Sequence, residues 1–342
     1  MLKRLERRLN IVSTKGMNRD QWLETRNGLS GIGGSEIGTL FALNPWKSAV
    51  ELFYHKVGYM TPKPLESESA FHGTNLENYI RHLWEHYTDS VEGMMQSFNT
   101  SQNTLRKART VDGILINPKY PFLFANVDGI ITKHPVYNNK LGVLEIKTIS
   151  HRVSEMWEHG IPPAYLFQIH LYCLVTGCEY AELASLKDGQ FFECIPIPIS
   201  RDIQENIIER GQDFMRRVTL GVEAMQNILN EDELLQYLSE LEPDYKDDPD
   251  LLYQFYSEKH KQRLSENIIE EPDPELYLLA KEHSTLGTQI KALEKEQTTI
   301  KVALQRIMER HGAQVVNFGK DQEGNPKGRI TWRKQFRITV TG

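Results

Sequence analysis

The sequence predicts a mixed α/β fold that is followed by a long helix and a small β-hairpin. Residues 1–230 alternate segments of helical apolar spacing with short apolar runs typical of strands. The run over residues 141–149 is apolar enough to be a central strand that is buried on both faces of its sheet. Beyond residue 272, apolar residues follow a heptad, which is typical of a coiled-coil helix.

The helices of residues 1–230 are marked by capping signals. Ser35, after the glycine-rich stretch GIGG, and Ser48 are the N-cap residues that we expect for two early helices. A third helix is predicted over ESAFHGTNLENYIRHLWEHYT, where apolar residues recur at helical spacing. A fourth, PPAYLFQIHLYCLVTG, ends at Gly177, and a fifth spans about 200–230.

Strands are predicted near residues 105–116, 122–132 and 141–149. Two more, EYAELASLK and QFFECIPIPI, flank Asp188-Gly189, which is a typical hairpin turn dipeptide. The sheet and the helices predict one α/β unit over residues 1–230.

The rest of the chain divides into two further parts. Residues 231–272 are acidic and proline-punctuated, so we interpret them as an exposed connecting segment or an acidic surface lobe. In residues 273–342 the pattern predicts a coiled-coil helix followed by a basic β-hairpin. The coiled-coil helix is either half of an intramolecular helical hairpin or part of an oligomer interface. The heptad positions are Leu276, Leu279, Leu286, Ile290, Leu293, Ile300, Leu304 and Ile307, with His283 and Gln297 as polar breaks.

The net charge of −6 argues at first against a nucleic-acid partner, but the charges are segregated. Residues 231–275 carry 15 acidic and 4 basic side chains, whereas residues 301–342 carry 9 basic and 3 acidic ones. DNA binding is therefore not excluded, although ordinary solvated faces explain the same pattern. Three cysteines without metal-ligand spacing, no membrane-length apolar run and no secretory signal predict a cytoplasmic protein.

Two neighbouring strands carry charges where sheet core is expected. In FANVDGI and GVLEIKT, Glu145 and Lys147 share one strand face, and Asp128 ends the preceding strand. If the strands pair antiparallel, Asp128 and Glu145 meet, and with the Ile146 carbonyl they suit Mg²⁺ or Mn²⁺. Lys147 would then lie beside the metal-bound water of a phosphodiester hydrolase. The alternative is a surface-edge strand with a Glu–Lys ion pair.

Further residues favour such a site. Glu77 offers a third carboxylate from a helix, and Gln168 interrupts an apolar helix, in one stripe with Tyr165 and Tyr172. Arg26 and Ser35 flank glycines whose backbone N–H groups can hold a phosphate. The alternative for Glu77 is an ordinary exposed helix glutamate, and the alternative for Gln168 is a core glutamine that is hydrogen-bonded to backbone.

Taken in order, GIGGSEIG, GTNLE, FANVDGI, LEIKT and YLFQIHLYCLVTG resemble the YqaJ-type viral recombinase family. That family is related to phage lambda exonuclease within the PD-(D/E)XK nuclease superfamily. The resemblance spans about Arg26 to Ile199, and QIHLY also matches the QxxxY element of RecB-like nucleases. It implies a restriction-endonuclease-like core, a mixed central sheet flanked by helices, and a metal-dependent 5′→3′ exonuclease acting on double-stranded DNA ends.

Residue by residue, the resemblance implies that Asp128, Glu145, Glu77 and the Ile146 carbonyl hold Mg²⁺, or Mn²⁺ as a substitute. Lys147 would be the catalytic lysine, and Gln168 would position the lysine or the substrate. The set of residues implied to contact DNA or its 5′-phosphate is Arg26, Ser35, Tyr165 and Tyr172. The implied partners are a single-strand annealing protein and further copies of the chain in a ring, in a host cytoplasm and with no membrane.

Two other functions stay open on the sequence. An endonuclease or nickase would use the same chemistry on a different substrate. A non-catalytic DNA-binding recombination adaptor would keep the fold and recruit partners through the coiled coil and the acidic segment. Charges kept inside a sheet argue against the adaptor, because burying them is costly without a function.

Overall fold

The structure is a computed structural model that describes residues 5, 7–62, 68–88, 90–100, 104–138, 140–261, 273–324, 326–332 and 336–340. The chain forms two compact units, residues 1–263 and residues 264–342. The units are described separately below.

The described strands of the first unit are β1 (Asn10–Ser13), β2 (Ile32–Gly33), β3 (Lys107–Arg109), β4 (Gly113–Ile116), β5 (Leu123–Ala125), β6 (Gly129–Lys133), β7 (Gly142–Ile149), β8 (Tyr180–Lys187) and β9 (Phe191–Ile197). Its described helices are α1 (Arg19–Asn27), α2 (Gly34–Ile37), α3 (Ala49–Val57), α4 (Glu68–His86), α5 (Val91–Thr100), α6 (Pro163–Thr176), α7 (Arg201–Asn227), α8 (Glu231–Glu240) and α9 (Pro249–Lys261). Short 3₁₀ segments cover Gly38–Phe41 and His151–Trp157.

A five-stranded mixed sheet in the order β3-β6-β7-β8-β9 forms the centre of this unit. Only the β7–β8 pair is parallel, and α6 connects those two strands, while the other neighbours pair antiparallel. The β8–β9 hairpin turns at Asp188-Gly189 as predicted. The predicted mixed α/β fold class is confirmed.

Strand β7 is buried on both faces, as its apolar composition predicted. Val143 packs into the cluster that contains Ile169 of α6, while Leu144 and Ile146 pack into the cluster that contains Trp84 of α4. The sheet is therefore flanked by α6 on one face and by α4 on the other. Glu145 of β7 consequently lies in the interior, and Lys147 near the end of the strand is partly buried.

A second sheet in the order β1-β4-β5-β2 adjoins the glycine-rich turn. Strand β2 has only two residues and pairs parallel with β5, with Ile32 opposite Leu123. This pairing anchors the start of α2 near the end of β5, and Asp128 follows three residues after β5.

The cap of α3 is as predicted, but the cap of α2 is not. The Ser48 side chain accepts a hydrogen bond from the Glu51 N–H at 3.0 Å. Ser35 lies inside α2, whose N-cap position is Gly33. Glu36 accepts from the Gly33 N–H at 2.9 Å and does the capping instead, which leaves the Ser35 hydroxyl free for another contact.

The described part of the acidic segment forms α8 and α9, which lie in the first unit. Leu234, Leu238 and Phe255 are buried in the core cluster that also contains α3 and α7. Between the two helices, Asp247 accepts hydrogen bonds from the N–H groups of Ala49 and Val50 at 2.9 and 3.3 Å. The helices therefore pack on the core, and their acidic residues make up its outer surface.

The second unit consists of α10 (Pro274–Arg310) and an antiparallel sheet of β10 (Val315–Asn317), β11 (Gly328–Trp332) and β12 (Phe336–Val340). The predicted hairpin is thus extended by a third strand. Of its basic residues, Arg333 and Lys334 lie outside the described residues. Within the described ranges, no helix combines the length and apolar character needed to cross a membrane.

Candidate active site

Asp128 and Glu145 meet because β6 and β7 pair antiparallel. The register places Gly129 opposite Leu144, so the residue before β6 lies beside Glu145. The Ile146 N–H donates to Asp128 Oδ2 at 2.8 Å, which ties Asp128 directly to β7. The backbone at Ile146 therefore contributes a donor to the site, while the predicted role of its carbonyl as a metal ligand stays a prediction.

Glu145 is the most buried acidic group of the site, with 1% of its surface exposed. Its Oε1 accepts from Lys147 Nζ at 2.6 Å and from Gln168 Nε2 at 2.8 Å. Its Oε2 is buried and receives no hydrogen bond from any residue that the structure describes. A buried carboxylate oxygen without a donor is costly, which indicates that a further group belongs there.

Lys147 points into the site and not into solvent. It lies two residues beyond Glu145 on β7, its side chain is 21% exposed, and Nζ lies 4.7 Å from the Tyr165 ring centroid. Burial by itself lowers the pKa of Lys147, but the charges of Glu145 and Asp128 outweigh burial and raise it. The amine is therefore a cation at neutral pH.

The other two carboxyl groups are shifted toward the neutral form. Burial, followed by the charge of Glu145, raises the pKa of Asp128 well above its usual range. The same two causes, in the same order, raise the pKa of Glu77. Three acidic groups thus lie within electrostatic range of one another; Lys147 offsets the charge at Asp128 and Glu77, and Arg81 and Arg19 also act on Glu77.

Gln168 and Tyr172 support Glu145 from α6. Both are buried, and Gln168 Nε2 also donates to the Tyr172 hydroxyl at 3.0 Å. Gly34 allows this close packing, because a Cβ there would lie 2.2 Å from the Tyr172 ring. Tyr172 thus links α2 to α6 beneath the carboxylates.

Arg26 and Ser35 line the same pocket as the carboxylates, although they are about 100 residues away in sequence. Arg26 Nη2 donates to Ser35 Oγ at 2.7 Å, and its guanidinium lies 5.6 Å from the Trp22 ring centroid. The pocket has a volume of about 190 Å³ and is lined by Trp22, Arg26, Gly34, Ser35, Glu77, Phe124, Asn126, Asp128, Glu145, Ile146, Lys147, Gln168 and Tyr172.

The structure therefore brings together all the predicted site residues except Tyr165, which contacts the pocket through Lys147 and packs on Trp157. Sequence reasoning missed Trp22 and Asn126. Trp22 lies one helical turn before Arg26 on α1, and Asn126 lies two residues before Asp128, so proximity to predicted site residues was the available signal.

The donors present fit a hard divalent cation in part. Asp128 and Glu145 offer carboxylate oxygens, one of them unsatisfied, and hard oxygens are what Mg²⁺ prefers. Among the described residues, however, no three acidic, histidine or cysteine side chains form a ready-made metal cluster. The set present is thus the pair of carboxylates Asp128 and Glu145, with Glu77 as a third acidic group on the pocket wall.

A larger groove of about 660 Å³ lies in the same unit, between Tyr59, α8 and α9. Its charged or titratable side chains are Asp232, Lys259 and His260, and its other polar residues are mainly tyrosines and serines. It lacks converging buried carboxylates, so the smaller pocket is the better candidate for catalysis.

Comparison with known proteins agrees with these motifs. Residues 21–179 match the family model of the YqaJ-like viral recombinase domain. The chain is 30% identical over 217 residues to the protein YqaJ of Bacillus subtilis (strain 168), an alignment that covers 63% of this chain and 60% of the relative.

The fold is also similar to the crystal structure of an alkaline exonuclease (LHK-Exo) from Laribacter hongkongensis and to that of LHK-Exo in complex with dAMP. Each is 17% identical and covers 60% of this chain and 96% of that chain, with TM-scores of 0.43 and 0.44. Every residue that lines the pocket falls within residues 21–179, the segment matched by the family model. Residues 21–179 are therefore similar to the YqaJ-like viral recombinase domain, and the chain spans about 60% of the length of the relative that it matches.

Proposed function

We propose that this protein is a Mg²⁺-dependent DNA exonuclease that degrades double-stranded ends in the 5′→3′ direction during phage-type homologous recombination. The observation that carries the proposal is the buried Glu145, which has one oxygen held by Lys147 and Gln168 and the other without a donor among the described residues. Such an arrangement favours a cation at the second oxygen.

The chain's own residues divide the work. Asp128 and Glu145 would hold the ion, with the Ile146 carbonyl and Glu77 as further oxygen ligands. When bound, Mg²⁺ supplies Lewis-acid chemistry that polarises the scissile phosphate and makes the attacking water more acidic. Because Lys147 is a cation, it orients that water and stabilises negative charge on the phosphate. Mn²⁺ offers the same coordination chemistry.

Arg26 and Ser35 support a preference for DNA ends. They are hydrogen-bonded to each other on the wall of the catalytic pocket, and guanidinium and hydroxyl groups are good phosphate ligands. A 5′-phosphate bound there would put the next phosphodiester near Asp128 and Glu145. The resemblance to phage recombinases supports a single-strand annealing protein as partner, a ring of copies, and action in a bacterial host cytoplasm.

The decisive experiment compares wild type with Lys147→Ala on end-labelled duplex DNA, with and without Mg²⁺. We expect Lys147→Ala to bind DNA ends as wild type does and to lose at least about 100-fold in digestion rate, because a charge-stabilising group is removed. Lys140→Ala is the matched control, since Lys140 pairs with Glu179 at the same 2.6 Å but on the surface. Normal digestion by Lys147→Ala would refute the assignment.

Substrate form separates an exonuclease from an endonuclease. We expect linear duplex to be degraded, closed circular duplex to persist, and 5′-phosphorylated ends to be preferred over 5′-hydroxyl ends. Arg26→Ala and Ser35→Ala should abolish that preference while a residual rate remains. Cleavage of closed circles at the rate of linear DNA would show an endonuclease instead.

A further inference from the structure

The long helix α10 exposes a continuous apolar stripe. Leu279, Leu286 and Leu293 keep 56%, 49% and 64% of their surfaces exposed. The helix has 37 residues, about 55 Å in length, and exposed stripes of this size mark interaction surfaces. The stripe follows a heptad, with a positions Leu276, His283, Ile290, Gln297 and Leu304 and d positions Leu279, Leu286, Leu293, Ile300 and Ile307.

We propose that a second copy of this chain covers this stripe, so that two α10 helices form a parallel, in-register coiled coil over residues 276–307. A heptad repeat implies a helical partner with the same repeat, since 3.5-residue periodicity is maintained only when two helices supercoil around each other. A second copy supplies that partner without any further assumption.

The polar a residues select the parallel register. In a parallel, in-register pair, a residues face a residues, so His283 meets its own copy and so does Gln297. In an antiparallel pair, a residues face d residues, and the arrangement that overlaps the whole stripe sets His283 against Ile300 and Gln297 against Leu286. Burying polar groups against apolar ones without partners is unfavourable, so this arrangement is disfavoured.

Charges beside the stripe favour the same arrangement. In a parallel dimer, the g residue of one helix contacts the e residue five positions later on the other. This rule pairs Glu296 with Lys301 of the second copy, twice by symmetry, and brings no like charges together. In the antiparallel arrangement, Glu296 faces Gln289 and Lys301 faces Ala280, so both ion pairs are absent.

The core residues favour two strands over more. Leucine occupies d at 279, 286 and 293, and the intervening a residues are His283 and the β-branched Ile290. Ile or Val at a with Leu at d is the combination that two-stranded coiled coils prefer.

The test is the solution mass of the full-length chain by light scattering. We expect wild type to have twice the mass of a Leu286→Glu/Leu293→Glu double variant, with 39.6 kDa per chain. Leu278→Glu is the matched control, because Leu278 is 62% exposed on the same helix but lies at position c, outside the stripe, and should leave the mass unchanged. Equal masses for wild type and the double variant would overturn the proposal.

Orientation is tested by cysteine cross-linking under mild oxidation. Leu286→Cys should form a disulfide-linked dimer, since d residues of a parallel in-register pair face each other, whereas Leu278→Cys and wild type should not. If Leu286→Cys cross-links only to Gln297→Cys in a mixture, the pairing is antiparallel and the proposal fails. Neither readout depends on nuclease activity, and cross-linking through position 286 reports the α10 pair whether or not the rest of the chain forms the proposed ring.

Discussion

A single glutamine holds the key carboxylate of the pocket in place. Gln168 donates to Glu145 and to the Tyr172 hydroxyl, so one amide group fixes both the orientation of the carboxylate and its link to α6. Removing a group that orients a metal ligand in this way usually costs about 10- to 100-fold in metal affinity or rate. In the proposed mechanism, Gln168 is therefore a positioning residue for Glu145.

We accordingly expect Gln168→Leu to need about 10-fold more Mg²⁺ for half-maximal digestion and to lose about 10- to 100-fold in rate. A titration of digestion rate against Mg²⁺ measures both. Gln190→Leu, at an exposed turn position, is the control and should match wild type. An unchanged Mg²⁺ dependence in Gln168→Leu would show that the glutamine is merely structural.

The raised pKa of Asp128 has a consequence for stability. Because burial and Glu145 raise this pKa, the folded protein retains a proton that the unfolded chain has lost above its ordinary pKa of 3.8. The folded state then binds more protons than the unfolded state, so Asp128 lowers the free energy of unfolding as pH rises from about that value toward the raised pKa.

At neutral pH, metal-free Asp128→Asn should therefore have a Tm about 2–4 °C higher than metal-free wild type. This difference in Tm should become smaller as the pH is lowered toward 4. Adding Mg²⁺ should raise the Tm of wild type more than that of the variant, because the ligand is gone. Thermal unfolding followed by circular dichroism measures all four states. A metal-free variant that is less stable than wild type would contradict the assigned charge balance.

The central site residues were predictable from the sequence, and those at the rim were not. Asp128, Glu145 and Lys147 were found because charges inside an apolar strand need a physical explanation, and the strand pattern fixed which faces they share. Trp22 lines the pocket because of how α1 packs, and no unusual residue in its own sequence neighbourhood signals this position. A tryptophan or an asparagine at a rim looks ordinary in sequence.

At the scale of elements, α4 is fixed to the sheet by a buried charge on β8. Glu182 accepts hydrogen bonds from Trp84 Nε1 at 2.7 Å and Arg106 Nη1 at 2.6 Å, and its other oxygen lies 2.9 Å from His134 Nε2. His134 Nδ1 accepts from the backbone N–H groups of residues 136 and 137, and its Nε2 also lies 2.7 Å from Arg106 Nη1, so the imidazole is held between the arginine and the carboxylate. Trp84 lies two helical turns beyond Glu77, so the same contact holds the helix that presents Glu77.

Glu182→Gln should lower the free energy of unfolding by about 3–5 kcal/mol, since it removes the negative charge facing a buried arginine. Glu179→Gln, in the surface pair with Lys140, should cost less than about 1 kcal/mol, because exposed ion pairs contribute little. Urea unfolding of both variants provides the comparison. Equal small losses in the two variants would mean that the buried network adds no more stability than a surface pair.

Long periodic elements were predictable, whereas short or heavily charged ones were not. Strand β7 and the β8–β9 hairpin follow from apolar pattern and turn chemistry. Strand β2 has two residues, too few for any periodicity, and forms only because β5 is available to pair with it. Helix α8 was not predicted as part of the core because acidic residues dominate its composition, although Leu234, Leu235 and Leu238 form a buried face.

At the scale of the whole molecule, the first compact unit ends at residue 263, beyond the boundary at residue 230 expected from composition. The contacts explain the difference. Besides the buried leucines, Glu242 accepts from the Tyr54 hydroxyl at 2.6 Å, and Arg217 donates to the carbonyls of Leu241 and Glu242 at 3.3 and 3.1 Å. The charge composition of a segment indicates that many of its residues face water, but it does not show whether the apolar residues between them pack on the core.

A fragment of residues 1–263 should therefore unfold cooperatively, whereas a fragment of residues 1–230 should be largely unfolded or aggregate at 37 °C. Each of Leu234, Leu235, Leu238 and Phe255 contributes about 1.5–3 kcal/mol through burial, and their sum approaches the total stability of an ordinary domain. Thermal unfolding and limited proteolysis of the two fragments measure this. Equal Tm values would place α8 and α9 outside the cooperative unit. A smaller change tests the same contact surface: Asp247→Ala in the longer fragment should lower the free energy of unfolding by about 1 kcal/mol, because it removes the hydrogen bonds to the Ala49 and Val50 N–H groups.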